Sequence, residues 1–141
     1  MTLQERQDEI IEEFSIFDDW MDKYNYLIEL SKDLSEIDPK YKTNEYLIEG
    51  CQSKVWLYAE MDGDKLKFTA DSDAIITKGI AALLVRVLSG LTPKEIMNAD
   101  LYFIDKIGLQ QNLSPTRSNG LLAMVKQMKL YAMAYNAKMN Q

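Results

Sequence analysis

The chain has no histidine and only one cysteine, Cys51, in 141 residues. Without histidine, Cys–His and Ser–His catalytic pairs are excluded, as are histidine-bearing zinc sites. A single thiol cannot close an internal disulfide, nor supply the thiolate set that a zinc site or an iron–sulfur cluster takes from its protein. Neither a P-loop nor a glycine-rich dinucleotide fingerprint is present, so nucleotide binding has no support. The longest unbroken apolar run, Ile80 to Val85, stops at Arg86. That is far short of the ~20 residues of a membrane span, and no membrane association is expected. Met1 to Arg6 shows no basic region followed by an apolar one, so no secretory signal is expected. A lone thiol fits a reducing compartment, and the cytoplasm is the expected location.

What is present is ordinary in amount and uneven in placement. Apolar residues make up 47% and charged residues 27%, as in soluble globular proteins. A chain of this length is expected to form one domain, 1–141, burying roughly 68% of its unfolded surface. Net charge is −6, which argues against nucleic-acid binding, since that rests on neutralising phosphates. Residues 1–38 carry twelve acids and three bases, whereas after Asp105 there are five bases and no acid. The basic end is either a solvated helix face or a docking face for an acidic partner.

Periodicity outlines an α+β chain. Thr2 to Glu5 has capping-box spacing, and Ile10, Phe14 and Phe17 give the apolar stripe of a first helix. Asp18 or Asp19 is placed to cap a second, carrying Trp20, Tyr24 and Leu27. Residues 35–48 read as a loop with an extended piece at Tyr46-Leu47-Ile48. Val55, Leu57, Ala59 and Met61, then Leu66, Phe68 and Ala70, alternate with polar or aromatic neighbours around Asp62-Gly63-Asp64, predicting a β-hairpin with one buried face. Two strands are marginal alone, so helices must cover that face. Asp71-Ser72-Asp73 is expected to open a long helix with Ser72 as its cap and Ile76, Ile80, Leu83 and Val87 as its stripe. Thr92-Pro93-Lys94-Glu95 opens a short helix, and residues 101–107 add a turn or two. Ser114-Pro115 opens the last helix. Its expected stripe is Leu121, Val125, Met128, Ala132 and Tyr135, with Arg117 on the same core-facing side and in need of a partner. Met124, Met128, Met133 and Met139 read as core filling, or else as an adaptable binding surface.

The chemistry centres on Glu49-Gly50-Cys51-Gln52-Ser53-Lys54-Val55-Trp56. A lone cysteine is most often a small buried hydrophobe. Here it lies outside any apolar stripe, polar residues flank it, and Gly50 permits a sharp turn before it. A reactive thiol needs access and a cation or helix N-terminus to stabilise its thiolate. Lys54, close in sequence, and Arg117 are the candidate cations, and the N-termini of the helices near Ser72 and Ser114 are candidates as well. With no histidine as a general base, thiol exchange is favoured over hydrolysis.

The stretch Gly50 to Trp56 resembles the signature of the SufE-like sulfur-acceptor proteins. Asp71 to Gly79, Leu91 to Ile96 and Leu113 to Leu121 resemble further blocks of that family, in its order. The resemblance implies an α+β fold, a small antiparallel sheet packed against several helices, shared with IscU-type scaffolds. It also implies a role: accepting persulfide sulfur from a SufS-type cysteine desulfurase, stimulating that enzyme, and delivering sulfur to a SufBCD-type cluster assembly complex. The acceptor cysteine falls on Cys51, within the loop of Gly50, Gln52 and Ser53. The family's arginine falls on Arg117, as a stabiliser of thiolate or persulfide, and Asp71, Ser72, Asp73 and Lys54 fall near the implied partner surface. No cofactor of its own is implied, because pyridoxal phosphate belongs to the desulfurase. Glu49 and Ala70 depart from the family pattern, and a Glu49 carboxylate pointing inward would disfavour the thiolate. The rival readings are a non-covalent module that activates a desulfurase, and a cluster scaffold, for which ligands are lacking.

Overall fold

The structure, a computed structural model, describes residues 1–140. Helix α1 (Leu3–Ser15) begins with the expected reciprocal box: Thr2 Oγ1 accepts from the Glu5 amide, and the Glu5 carboxylate accepts from the Thr2 amide. Helix α2 (Trp20–Ser31) is capped by Asp19. Ile10, Phe14 and Leu27 are buried, while Phe17, Trp20 and Tyr24 are only half-buried at the margin.

The loop that follows contains two single-turn 3₁₀ helices, Pro39–Tyr41 and Asn44–Tyr46. Its aromatics brace it on the sheet, with the Tyr41 ring stacked 3.5 Å from that of Tyr58. The extended piece is present: Leu47 bridges to Trp56, and the Ile48 amide donates to the Val55 carbonyl at 2.9 Å.

Strands β1 (Val55–Asp62) and β2 (Lys65–Ser72) pair antiparallel, with Val55 opposite Ser72 and Asp62 opposite Lys65. Gly63 takes a φ of 63° in the two-residue turn, a conformation that favours glycine. Val55, Leu57, Ala59, Leu66, Phe68 and Ala70 are buried, so the alternation reads as expected. Both edges of this small sheet are occupied. Tyr131 and Tyr135 hydroxyls donate to the Leu57 and Ala59 carbonyls on one side. On the other, the Leu66 amide donates to the Leu91 carbonyl, and the Phe68 amide to Ser89 Oγ. Capped edges do not recruit stray strands.

Helix α3 (Ile75–Leu88) starts later than expected, and Ser72 is not its cap. The ladder holds the chain extended through Ser72. Ser72 Oγ instead donates to the Lys54 carbonyl at 2.9 Å and accepts from the Ala74 amide at 3.2 Å. Ile80, Leu83 and Val87 are buried as the stripe requires. Gly79 lets α3 press on α2, since a Cβ there would stand 2.4 Å from the Leu27 carbonyl oxygen. Arg86 ties α3 to α1, reaching Glu9 at 2.7 Å and also Glu13. The Arg86 hydrogen bond holds the Glu13 carboxyl below its ordinary range despite partial burial.

Short helices α4 (Pro93–Met97), α5 (Phe103–Lys106) and α6 (Leu109–Asn112) lead to α7 (Pro115–Met139), capped by Ser114. The buried line of α7 runs Gly120, Leu121, Met124, Met128, Ala132. Met124 replaces the expected Val125, which is half-buried. Met124 and Met128 fill core and Met133 is exposed. Residues of β1, β2, α3 and α7, among them Val55, Ala70, Leu84 and Met128, enclose one small void beneath the sheet. The Cys51 loop thus lies between the sheet and two long helices.

Candidate functional site

Gly50 adopts a φ of 91°, which L side chains rarely take, and so turns the chain sharply into Cys51. The turn tucks the thiol against α7, where Sγ donates to the Gly120 carbonyl at 3.7 Å. Gly120 stands close to the thiol: a Cβ there would lie 3.6 Å from Sγ, in ordinary contact. The thiol is half-buried, and burial pushes its pKa above the ordinary 9.0. Desolvation disfavours the charged form, and no cation acts on the thiol strongly enough to reverse it. At rest, Cys51 is a protected thiol.

A cavity of about 20 Å³ adjoins the sulfur, lined by Cys51, Gln52, Ser53, Thr77, Thr116, Arg117 and Gly120. The structure therefore brings together Cys51, Gln52, Ser53 and Arg117, all four of them singled out from sequence. Arg117 stands differently from the expected core-facing side. The first turn of α7 runs past the end of the core, leaving Pro115, Thr116 and Arg117 exposed. No ion pair reaches the guanidinium among the described residues, which leaves it to the site rather than to a structural pair. It remains a free cation at the mouth of the cavity. Glu49 is exposed, and burial alone accounts for the shift of the thiol, so its carboxylate does not oppose the Cys51 thiolate.

The residues marked for a partner surface form a clasp at the far end of the loop. Asp73 Oδ1 accepts from the Lys54 amide at 3.0 Å, and the Asp73 amide donates to the Lys54 carbonyl at 3.2 Å. Asp71 pairs with Lys42 at 3.0 Å and Lys78 at 3.3 Å. Partial burial raises its carboxyl, but Lys42, the Ser72 amide and Lys78 together pull it below the ordinary 3.8. Ser72 is buried, whereas the Lys54 and Asp73 side chains are exposed. On the other side of the loop, Gly50 and Glu49 border a groove of about 730 Å³, with Tyr46, Lys126, Leu130 and Tyr131 on its walls.

Three lining residues, Gly120, Thr77 and Thr116, carry no site role in the sequence reading, although all three fall within the blocks that carry the family resemblance. Gly120 left a signal, because a glycine inside a helix costs about 1 kcal/mol relative to alanine and so marks a close approach. Thr77 left only its place in the Asp71 to Gly79 block, since it sits beside the Ile76–Ile80 stripe and otherwise reads as helix surface. Among the described residues no three His, Cys, Asp or Glu side chains are grouped to hold a metal ion. No helix there is long and apolar enough to cross a membrane.

Comparison with known proteins places these features in a family. Residues 8–132 match the SufE model, described as an Fe-S metabolism associated domain. An uncharacterized SufE-like protein of Rhizobium etli is 43% identical over 127 residues, 86% of each chain. The SufE-like protein 1, chloroplastic/mitochondrial, of Arabidopsis thaliana is 42% identical over 131 residues, covering 92% of this chain and 35% of that one. The solution structure of a hypothetical protein from Thermus thermophilus superposes with a TM-score of 0.75 at 20% identity, over 92% of this chain and 94% of that one; at this identity it speaks to the α+β fold alone. A SufE model matching from α1 well into α7, together with relatives above 40% identity over most of the length, makes the chain a member of the SufE family of Fe-S metabolism associated domains.

Proposed function

We propose that this protein carries sulfur on Cys51 for iron–sulfur cluster assembly. A SufS-type cysteine desulfurase, which holds the pyridoxal phosphate, supplies the sulfur, and a SufBCD-type complex receives it. The observation that carries the reading is the lone thiol on a glycine-turned loop, held to α7 by one weak Sγ–H···O contact beside a cavity of atomic size. The Cys51 thiolate attacks the outer sulfur of the donor persulfide. A bond forms between Sγ and that sulfur, the donor S–S bond breaks, and the donor cysteine leaves as thiolate. The proton of the outer sulfur stays with it. Exchange of this kind requires thiolate and access, and the closed loop withholds both. Partner docking therefore has to open the loop, where water and the free Arg117 guanidinium favour the thiolate. The protein acts as an accessory to the desulfurase rather than as an enzyme, with no cofactor of its own. It works in a reducing compartment, the cytoplasm, where a lone thiol stays reduced and a stored persulfide needs shelter from other thiols.

Intact-protein mass measurement after brief incubation with desulfurase, pyridoxal phosphate and cysteine tests this. A reducible gain of one sulfur atom mapped to Cys51, absent in Cys51→Ser, is the expected result. No gain in the wild type, alongside faster desulfurase turnover that Cys51→Ser preserves, overturns it in favour of a non-covalent activator.

A further inference from the structure

Thr77 is 7% exposed and lines the cavity beside the Cys51 sulfur. Its hydroxyl has no hydrogen-bond partner among the described residues, although the hydroxyls of Ser15 and Ser31, also on helices, bond back to carbonyls of their own helix. Among the described residues no fully enclosed side-chain oxygen is left unpaired, so the Thr77 hydroxyl keeps some accessible surface, and Thr77 lines this cavity. A hydroxyl on a residue so little exposed, bonded to no protein group, is free to bond a guest beside it. The cavity, at about 20 Å³, has room between its walls for a guest of about water size.

Resting on the carrier reading above, the geometry points to Thr77 as the residue that holds the outer sulfur of the Cys51 persulfide while the loop is closed. The hydroxyl donates to that sulfur, which is anionic near neutral pH because a persulfide is a stronger acid than a thiol. A hydroxyl suits this task better than a second cation. It stabilises the anion without fixing it so tightly that delivery is prevented. Thr77 is a positioning residue, since it acts on stored sulfur and not on the exchange itself.

The consequence is asymmetric, and that makes it testable. In the unloaded protein the hydroxyl bonds nothing, so its loss leaves the closed loop unchanged. In the loaded protein its loss frees the sulfur. The experiment loads wild type, Thr77→Val and Thr77→Ser with the disulfanide ion HSS⁻. The Cys51 thiolate takes the outer sulfur, one S–S bond replaces another, and hydrosulfide leaves. Excess donor is removed, a thiol is added, and intact mass follows the loss of sulfur. Loss proceeds from the open loop, so its rate follows the open fraction. Thr77→Val is expected to lose sulfur about tenfold faster, the lower end for a hydrogen bond to a charged group, and Thr77→Ser to lose it at nearly the wild-type rate. Alkylation of the unloaded thiol is expected to match in all three. Equal loss rates in loaded wild type and Thr77→Val overturn the assignment while leaving the carrier reading intact. Faster alkylation of unloaded Thr77→Val also overturns it, because that is what a purely structural threonine does. Failure of all three proteins to gain sulfur, both from the disulfanide ion and from a desulfurase with cysteine, refutes the carrier reading and this inference with it.

Discussion

Substituting Gly50 by alanine tests whether the closed loop is held by a balance that a small strain can tip. Gly50 sits at a φ of 91°, and a side chain in a left-handed conformation costs roughly 1–2 kcal/mol. Space is not the obstacle, because the new Cβ would lie 3.4 Å from the Ala123 Cβ. On the other side of the balance are one weak Sγ–H···O contact at 3.7 Å and the partial burial of one thiol, together worth about 1 kcal/mol. The strain is therefore comparable to what holds the loop, and opening the loop relieves it. Held closed by about 1 kcal/mol, the loop is already open roughly 15% of the time, so a shift of 1–2 kcal/mol raises the open population roughly 3- to 5-fold. The rate of Cys51 alkylation by iodoacetamide at fixed pH is expected to rise by that factor. The apparent thiol pKa is expected to fall towards 9.0, because burial alone raises it. The melting temperature is expected to fall by less than about 4 °C, since the strain is released locally. Gly63→Ala is the control: it has a similar conformation, φ 63°, with nothing within 4 Å, and it lies at the hairpin tip. That variant carries the strain without touching the thiol. An alkylation rate unchanged in Gly50→Ala, or raised equally in Gly63→Ala, refutes the reasoning.

Other substitutions probe the remaining contacts. Gly120→Ala removes a mid-helix glycine and is expected to raise the melting temperature, by up to about 1 kcal/mol of helix propensity. Its methyl group occupies the space beside Sγ, so sulfur loaded on Cys51 is expected to be lost faster; a slower loss shows that the cavity does not shelter it. Gly79→Ala drives a Cβ into the Leu27 carbonyl and is expected to destabilise by about 3 kcal/mol in urea melts, overpacking against backbone that cannot yield; a loss below about 1 kcal/mol contradicts the close approach of α3 to α2. Arg86→Met breaks a partly buried fork to Glu9 and Glu13 and is expected to cost about 1–2 kcal/mol. Because Glu13 titrates below the ordinary 4.5 in the folded state, the stability it contributes is present above that value and lost as pH falls through its depressed pKa. The gap between Arg86→Met and wild type is therefore expected to narrow in melts below pH 4.5, and a gap that does not change there refutes the pairing.

Local chemistry made most of the helices and the hairpin readable. Capping boxes at Thr2 and Thr92 and the Ser114-Pro115 start are short-range devices, complete within four residues, and each stands where the sequence places it. The hairpin followed from alternation and a two-residue turn. The errors arise where a distant segment decides. Ser72 has the chemistry of a cap, but the Val55–Ser72 pairing claims it for the strand. Arg117 has the spacing of a core-facing residue, but the first turn of α7 overhangs the core, and no periodicity within one helix reveals where its neighbours end. Cys51, Gln52 and Ser53 were legible because they are contiguous. Thr77 was not, because only the docking of α3 and α7 about the loop gives it a role.

The position of Cys51 is better suited to keeping sulfur than to capturing it. A thiol meant to react at rest is placed beside a cation or at a helix N-terminus, where its pKa falls. Cys51 has burial and a carbonyl as its neighbours, and both favour the protonated form. The unpaired Arg117 guanidinium is close, at the mouth of the same cavity, yet it does not act on the closed thiol. On the carrier reading these facts are consistent. A carrier moving between a donor and an acceptor must be unreactive in transit and reactive only when docked, and two distinct environments for one sulfur achieve that without a histidine. Closed, the loop gives low reactivity, and Thr77 is placed to hold the guest. Open, it gives solvent and Arg117. The rate of exchange is then governed by loop opening, which a partner increases by binding the open form more tightly than the closed one. Arg117→Ala is therefore expected to leave alkylation of the resting thiol unchanged and to slow sulfur uptake from a desulfurase. A variant alkylated faster at rest instead shows that the arginine holds the loop shut, which reverses its assignment from the open state to the closed one.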